Sequence, residues 1–128
     1  HGCAVVHISG GNTERKSLAI RDFKPRGIAC NPSYGLNIAE TMKEMGLHAR
    51  DNTLEYGIFG AEPWSEEMRT ELEEMLGIKA VDIYGLSEIM GPSVSIECRE
   101  AQDGLHIADD HFLVEVIDPD TLLPVDEG

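Results

Sequence analysis

Leu54-Glu55-Tyr56-Gly57-Ile58-Phe59-Gly60-Ala61-Glu62-Pro63-Trp64-Ser65-Glu66-Glu67-Met68, carried on to Ile78-Lys79-Ala80-Val81-Asp82-Ile83-Tyr84, is the stretch that decides the fold. Leu54 to Phe59 reads as a strand, because apolar and aromatic residues run up to a small-residue and proline break at Gly60-Ala61-Glu62-Pro63. Ser65 is an N-cap, Met68, Leu72, Met75 and Leu76 recur at helical spacing, and Gly77 is a C-cap. Ile78 to Tyr84 is a second apolar run. A strand, a helix and a strand in that order imply a parallel pair with the helix laid on the sheet.

Working outward, the same alternation continues upstream. Cys3 to Ile8 reads as a strand and leads through Ser9-Gly10-Gly11-Asn12 into a helix over about 13–23, capped by Thr13 or Asn12. Lys24-Pro25-Arg26-Gly27 breaks that helix, Gly27 to Asn31 reads as a strand, and Asn31-Pro32-Ser33 opens a helix running to about Gly46. Leu36, Ile38, Ala39 and Met42 form its buried stripe. Downstream of Gly85 the pattern shortens: 93–98, 105–107 and 112–117 read as strands, with a hairpin turn at Ala101-Gln102-Asp103-Gly104. The fold class expected is α/β, a parallel sheet with flanking helices over 1–92, followed by a short antiparallel β extension over 93–128.

Composition narrows the function. Ten Lys and Arg stand against 24 Asp and Glu, a formal charge of -14. That balance opposes binding to nucleic acid, whose phosphates need clustered cations, and opposes adsorption to an anionic membrane. No apolar run approaches the roughly 20 residues that span a bilayer. Three cysteines, an odd count without disulfide-framework spacing, point to the cytoplasm. The sequence opens directly on an apolar run and closes in a turn, so a piece of a longer chain is expected.

Ligands of open parallel sheets bind outside the carboxyl ends of the strands. Two such ends here are Gly60-Ala61-Glu62-Pro63 and Tyr84-Gly85-Leu86-Ser87-Glu88. One glycine in a strand-to-helix turn is ordinarily a turn residue. Two at adjacent strand ends, with a hydroxyl and a carboxylate after the second, leave room for close backbone approach to a ring or a phosphate.

Gly57-Ile58-Phe59-Gly60-Ala61-Glu62-Pro63-Trp64 and Asp82-Ile83-Tyr84-Gly85-Leu86-Ser87-Glu88-Ile89-Met90-Gly91-Pro92 together resemble the phenylacetate–CoA ligases of the adenylate-forming superfamily. Ser9-Gly10-Gly11-Asn12-Thr13-Glu14-Arg15, Phe23-Lys24-Pro25, Pro32-Ser33-Tyr34, Glu97-Cys98 and Asp110-His111-Phe112 fit the same family in order, covering essentially the whole chain. The resemblance implies an enzyme that joins an aryl acid to ATP as an acyl-adenylate and then to CoA as a thioester. It implies that Gly60, Ala61, Glu62 and Pro63 line the adenine site, that Asp82, Ile83, Tyr84 and Gly85 continue that wall, and that Ser87 donates to a phosphate oxygen. Glu88 would hold Mg²⁺, an ion that takes one or two carboxylates plus phosphate oxygens and water. Tyr34, Phe59, Gly60, Ala61, Gly85, Met90 and Pro92 would neighbour the aryl acid, a small apolar pocket suited to a flat ring. Phe59 points either to the pocket or to the core, the core being favoured, and Trp64 reads as structural.

Cys98 and His106, expected to face each other across the hairpin, are candidate zinc ligands, although two do not make a structural site. The resemblance further implies a phosphate-gripping loop before His1, a ribose-binding aspartate beyond Gly128 and a mobile C-terminal domain that supplies a lysine. The isolated chain is therefore expected to lack ligase activity, and a homodimer or a self-associating fragment is expected. The competing reading is a non-catalytic acidic α/β interaction module. A dinucleotide-binding reading lacks a G-x-G-x-x-G after the first strand.

Overall fold

A computed structural model describes residues 2–8, 11–89 and 91–125, with Pro92 described by its backbone alone. Helix α1 (Thr13–Phe23) is followed by β1 (Gly27–Cys30), α2 (Pro32–Glu44), a 3-10 turn (Ala49–Asp51), β2 (Tyr56–Gly60), α3 (Glu66–Leu76) and β3 (Lys79–Leu86). Strands β4 (Gly91–Glu97) and β5 (Leu105–Ile107) complete one sheet in the order β1-β2-β3-β4-β5. The first three strands are parallel, and β4 and β5 are antiparallel. The boundary expected at 92/93 falls inside β4.

Local chemistry sets the helix ends. The Asn12 side chain accepts the Arg15 amide at 2.9 Å, and α1 ends where Lys24 turns left-handed before Pro25. Pro32 occupies the first turn of α2, where a missing N–H costs nothing. Ser65 caps α3 by accepting the Met68 amide, and left-handed Gly77 closes it.

The core lies between α1–α3 and one face of the sheet. Ile20, Ile38, Met42, Leu72 and Leu76 come from the helices, and Phe59 and Ala80 come from β2 and β3. Alternation along the strands puts Ile28, Cys30, Gly57, Phe59 and Ala80 on this same face. A Cβ on Gly35 would stand 2.8 Å from the Phe59 ring, so glycine lets α2 settle directly on the sheet.

Two expected strands do not form. Residues 3–8 carry the alternating apolar pattern but pair with no described strand, and Val5 is 71 % exposed. A strand needs neighbours for its backbone groups, and propensity alone supplies none. Over 112–117 there is only an isolated bridge from Ile117 to Pro124, and Leu113 is 92 % exposed. Its apolar side chains find no facing layer among the described residues.

Candidate functional site

The site is built where β2 stops and β3 does not. Gly60 is the last residue of β2 and pairs with Ile83, after which β3 runs on through Tyr84, Gly85 and Leu86. A Cβ on Gly60 would collide with the Ile83 carbonyl and lie 2.8 Å from its Cγ2. Only glycine lets the two strand ends approach this closely. Gly60→Ala should therefore force β2 off β3 and destabilise the domain by about 1–3 kcal/mol. Urea unfolding measures this, and an unchanged midpoint would contradict the packing.

Beyond Gly60 the chain turns away through Ala61, at φ 68. Among the described residues, no strand then borders the β2-facing edge of β3 at Tyr84–Leu86. The opposite edge is held by β4, with a register shift at Tyr84/Gly85. The result is a shelf floored by Gly60 and Ile83 and bordered by an exposed backbone edge. Tyr84, on this edge, is 56 % exposed.

Residues Ser87–Ile89 form the turn after β3, with the Ile89 amide donating to the Leu86 carbonyl at 3.3 Å. Ser87 and Glu88 are both exposed there, and no described residue pairs with the Glu88 carboxylate. An open hydroxyl and an open carboxylate at the tip of β3 can meet a phosphate and its counter-cation from solvent.

The Glu62 carboxylate and the Asp82 backbone amide are engaged internally. One Glu62 oxygen accepts the Ser33 amide at 2.6 Å, and the other accepts from Asn31 Nδ2 at 3.1 Å. The Ser33 contacts, foremost its backbone N–H, hold the Glu62 carboxyl below the usual range. The Asp82 amide donates to Glu97 Oε2 at 3.0 Å. Pro63 is exposed at the loop's end.

The expected neighbours of the aryl acid are only partly brought together. Gly60, Ala61 and Gly85 lie at the shelf. Phe59 does not: its ring is 0 % exposed, tilted against Trp64 at 5.7 Å between centroids, and belongs to the core. Strand alternation turns Phe59 to the helix face, one position before the break that makes the shelf. Tyr34 is half-buried and tied to α1, its hydroxyl 3.3 Å from Thr13 Oγ1 and Lys16 Nζ 4.2 Å from the ring centroid. The Thr13 hydrogen bond, with help from Lys16, lowers its phenol pKa. Ser9, Gly10 and Met90 lie outside the described residues, as does the Pro92 side chain.

Cys98 and His106 do share one face of the β4–β5 hairpin, since Ile96 pairs with His106 and Cys98 follows two positions on. The Ala101 backbone N–H and the His106 ring lower the Cys98 thiol pKa. No described group of three or more His, Cys, Asp or Glu residues could hold a metal, and His111 is paired with Asp110 at 2.8 Å. Cys98 and His106, the candidate zinc ligands, therefore gain no third ligand among the described residues, where a structural site takes four. Cys30, by contrast, is pushed up to about 11 by burial. At pH 8, iodoacetamide should modify Cys98 well before Cys30, because the thiolate is the reacting form. Peptide mass mapping over time checks this order; equal rates would contradict the burial of Cys30.

What sequence reasoning missed is the buried pair behind the shelf. Arg69 Nη1 and Nη2 donate to the two Glu97 oxygens at 2.7 and 3.1 Å, and Nη1 also donates to the Ala80 carbonyl at 2.6 Å. The Arg69 guanidinium lies 4.8 Å from the centroid of the Trp64 ring. Nothing in the spacing of 69 and 97 signals this contact. Glu97 entered only as part of a family motif.

Comparison with solved structures defines the class. An open conformation of 2-hydroxyisobutyryl-CoA ligase, in complex with 2-HIB-AMP and CoA, superposes with a TM-score of 0.82 at 25% identity, over 95% of this chain and 27% of that one. The same ligase in its thioesterification state gives 0.82 over 95% and 26%. A luciferase-like enzyme from the mealworm Zophobas morio shares the fold at a TM-score of 0.62 and 18% identity, over 91% of this chain and 29% of that one. The fold is that of a segment of the adenylate-forming CoA ligases.

The sequence comparison is more particular. The chain is 51% identical over 127 residues to the phenylacetate–coenzyme A ligase of Thermus thermophilus, covering 99% of this chain and 28% of the relative. It is 53% identical over 120 residues to that of Pseudomonas putida, covering 94% and 27%, and 48% identical over 128 residues to that of Escherichia coli, covering 99% and 29%. Along nearly its whole length it is thus similar to one segment of the phenylacetate–coenzyme A ligases, and it spans little more than a quarter of their length. No protein-family model matches it. No helix among the described residues is long and apolar enough to cross a membrane.

Proposed function

We propose that this chain is the nucleotide-holding segment of a cytoplasmic, ATP-dependent aryl-acid–CoA ligase, acting on phenylacetate or a similar acid. The observation that carries the proposal is the shelf: β3 outruns β2 at Gly60, leaving an open backbone edge with Tyr84 beside it and Ser87 and Glu88 at its tip. Backbone Gly60–Pro63 and Tyr84–Gly85 would take the purine, and Ser87 would donate to a phosphate oxygen. Glu88 would accept the Mg²⁺ that neutralises the polyphosphate charge when bound. Gly60, Ala61 and Gly85 would leave space for a flat acid beside the nucleotide. CoA thiol would then displace AMP in the intact protein, which we propose to be a homodimer.

Calorimetric titration with ATP, with and without Mg²⁺, tests this. Binding should strengthen with Mg²⁺, and Glu88→Gln should remove that gain. Equal strengthening in the Gln variant would overturn the metal role. With phenylacetate, ATP, Mg²⁺ and CoA, the chain alone should form no phenylacetyl-CoA, since positioning supplies most of the catalysis in such phosphate chemistry and this chain spans about 28% of its Thermus relative. A thioester product would contradict this.

The second reading, an acidic interaction module, draws on the exposed Leu113, Val116, Leu122 and Leu123. It predicts no response to ATP at any concentration.

A further inference from the structure

Glu62 was expected at the purine site, yet its carboxylate points elsewhere, to the start of α2. Pro32 has no amide to offer, so the first N–H that α2 presents is that of Ser33, and Glu62 accepts it at 2.6 Å. Asn31, at the N-cap, makes no side-chain cap of its own and donates to Glu62 at 3.1 Å instead. The helix is therefore capped from a different loop, by a residue 29 positions away from Ser33.

That loop needs holding. Ala61 sits at φ 68, a left-handed conformation that costs a non-glycine residue roughly 1 kcal/mol. Gly60 on one side is wedged against Ile83, and Pro63 on the other restricts the backbone before it. Between them, Glu62 is the residue whose side chain reaches a fixed element. Two charge-assisted hydrogen bonds to a helix N-terminus are strong and directional.

We propose that Glu62 is a positioning residue: by gripping the Ser33 amide and Asn31, its carboxylate fixes the Gly60–Pro63 backbone in the conformation that receives the nucleotide, and the carboxylate does not touch the nucleotide itself. The proposal rests on the shelf reading above. It assigns the carboxylate to the α2 N-terminus and leaves the loop backbone to the ligand.

The test is titration of the 15N-labelled chain with AMP, following amide shifts, for the unsubstituted protein, Glu62→Ala, Glu62→Gln and Ser65→Ala. Ser65→Ala removes the cap of α3 and so controls for general loss of stability. Glu62→Ala should weaken AMP binding about ten-fold, the scale of one charge-assisted bond. Glu62→Gln keeps an oxygen for Ser33 and should recover part of that loss, and Ser65→Ala should bind as the unsubstituted chain does. Unchanged binding in Glu62→Ala overturns the positioning role and leaves the shelf standing. Equal weakening in Glu62→Ala and Ser65→Ala also overturns it, since ordinary destabilisation would then explain the loss. No AMP-induced shift in the unsubstituted chain sinks the shelf and this role with it.

Discussion

Glu97→Ala should cost the domain about 3–5 kcal/mol, a large part of the 5–15 kcal/mol that holds a typical domain. The Glu97 side chain is 3 % exposed and that of Arg69 11 %. Three groups converge on that carboxylate: Arg69 Nη1 and Nη2 and the Asp82 amide. Its loss leaves a guanidinium desolvated against Trp64, with the Ala80 carbonyl and the exposed Glu66 as its remaining partners. Pair removal differs from partner removal: Arg69→Met with Glu97→Leu should recover much of the loss, because the charge then goes together with its counter-charge. Urea unfolding of the single and double variants measures both. A single-variant loss under about 1 kcal/mol, the range of surface pairs, would show that this pair is not the buried clamp described.

Phe59→Ala should cost a further about 3–5 kcal/mol, the range for emptying an aromatic core position. The ring fills the space above Gly35 and beside Leu72, and it leans on Trp64. This also decides its role. A core residue changes the unfolding midpoint and leaves acid selectivity alone. A pocket residue changes affinity for aryl acids with little loss of stability. Phe59→Leu, which keeps most of the volume, is expected to bind nucleotide as the unsubstituted chain does, and a specific loss of acid binding would reverse the assignment.

The helices were legible in the sequence because their signals are local. Asn12, Pro32, Ser65 and Gly77 mark ends by chemistry that acts within a turn, and the apolar periods of α2 and α3 face the core as expected. Strands were legible only where a neighbour was available. Gly27–Cys30, Tyr56–Gly60 and Lys79–Leu86 find one another, whereas 3–8 and 112–117 carry strand-like residues without a ladder. At the site, the glycine break at Gly60 announced itself by composition, whereas the strand end expected at Gly85 did not hold, because β3 stays paired to β4 through Leu86. For Phe59 the sequence left pocket and core both open, because a single position of alternation separates them, and the structure places the ring in the core. The Arg69–Glu97 and Glu62–Ser33 contacts span 28 and 29 residues, and no local pattern encodes them.

The central claim is that the open edge of β3, beside Gly60, receives a nucleotide. Mapping ATP·Mg²⁺ onto the amide spectrum tests it most directly. Shifts confined to Gly60–Glu62 and Tyr84–Glu88 are the predicted result. Shifts confined instead to the groove lined by Lys43, His48, Arg50 and Glu74 would contradict it.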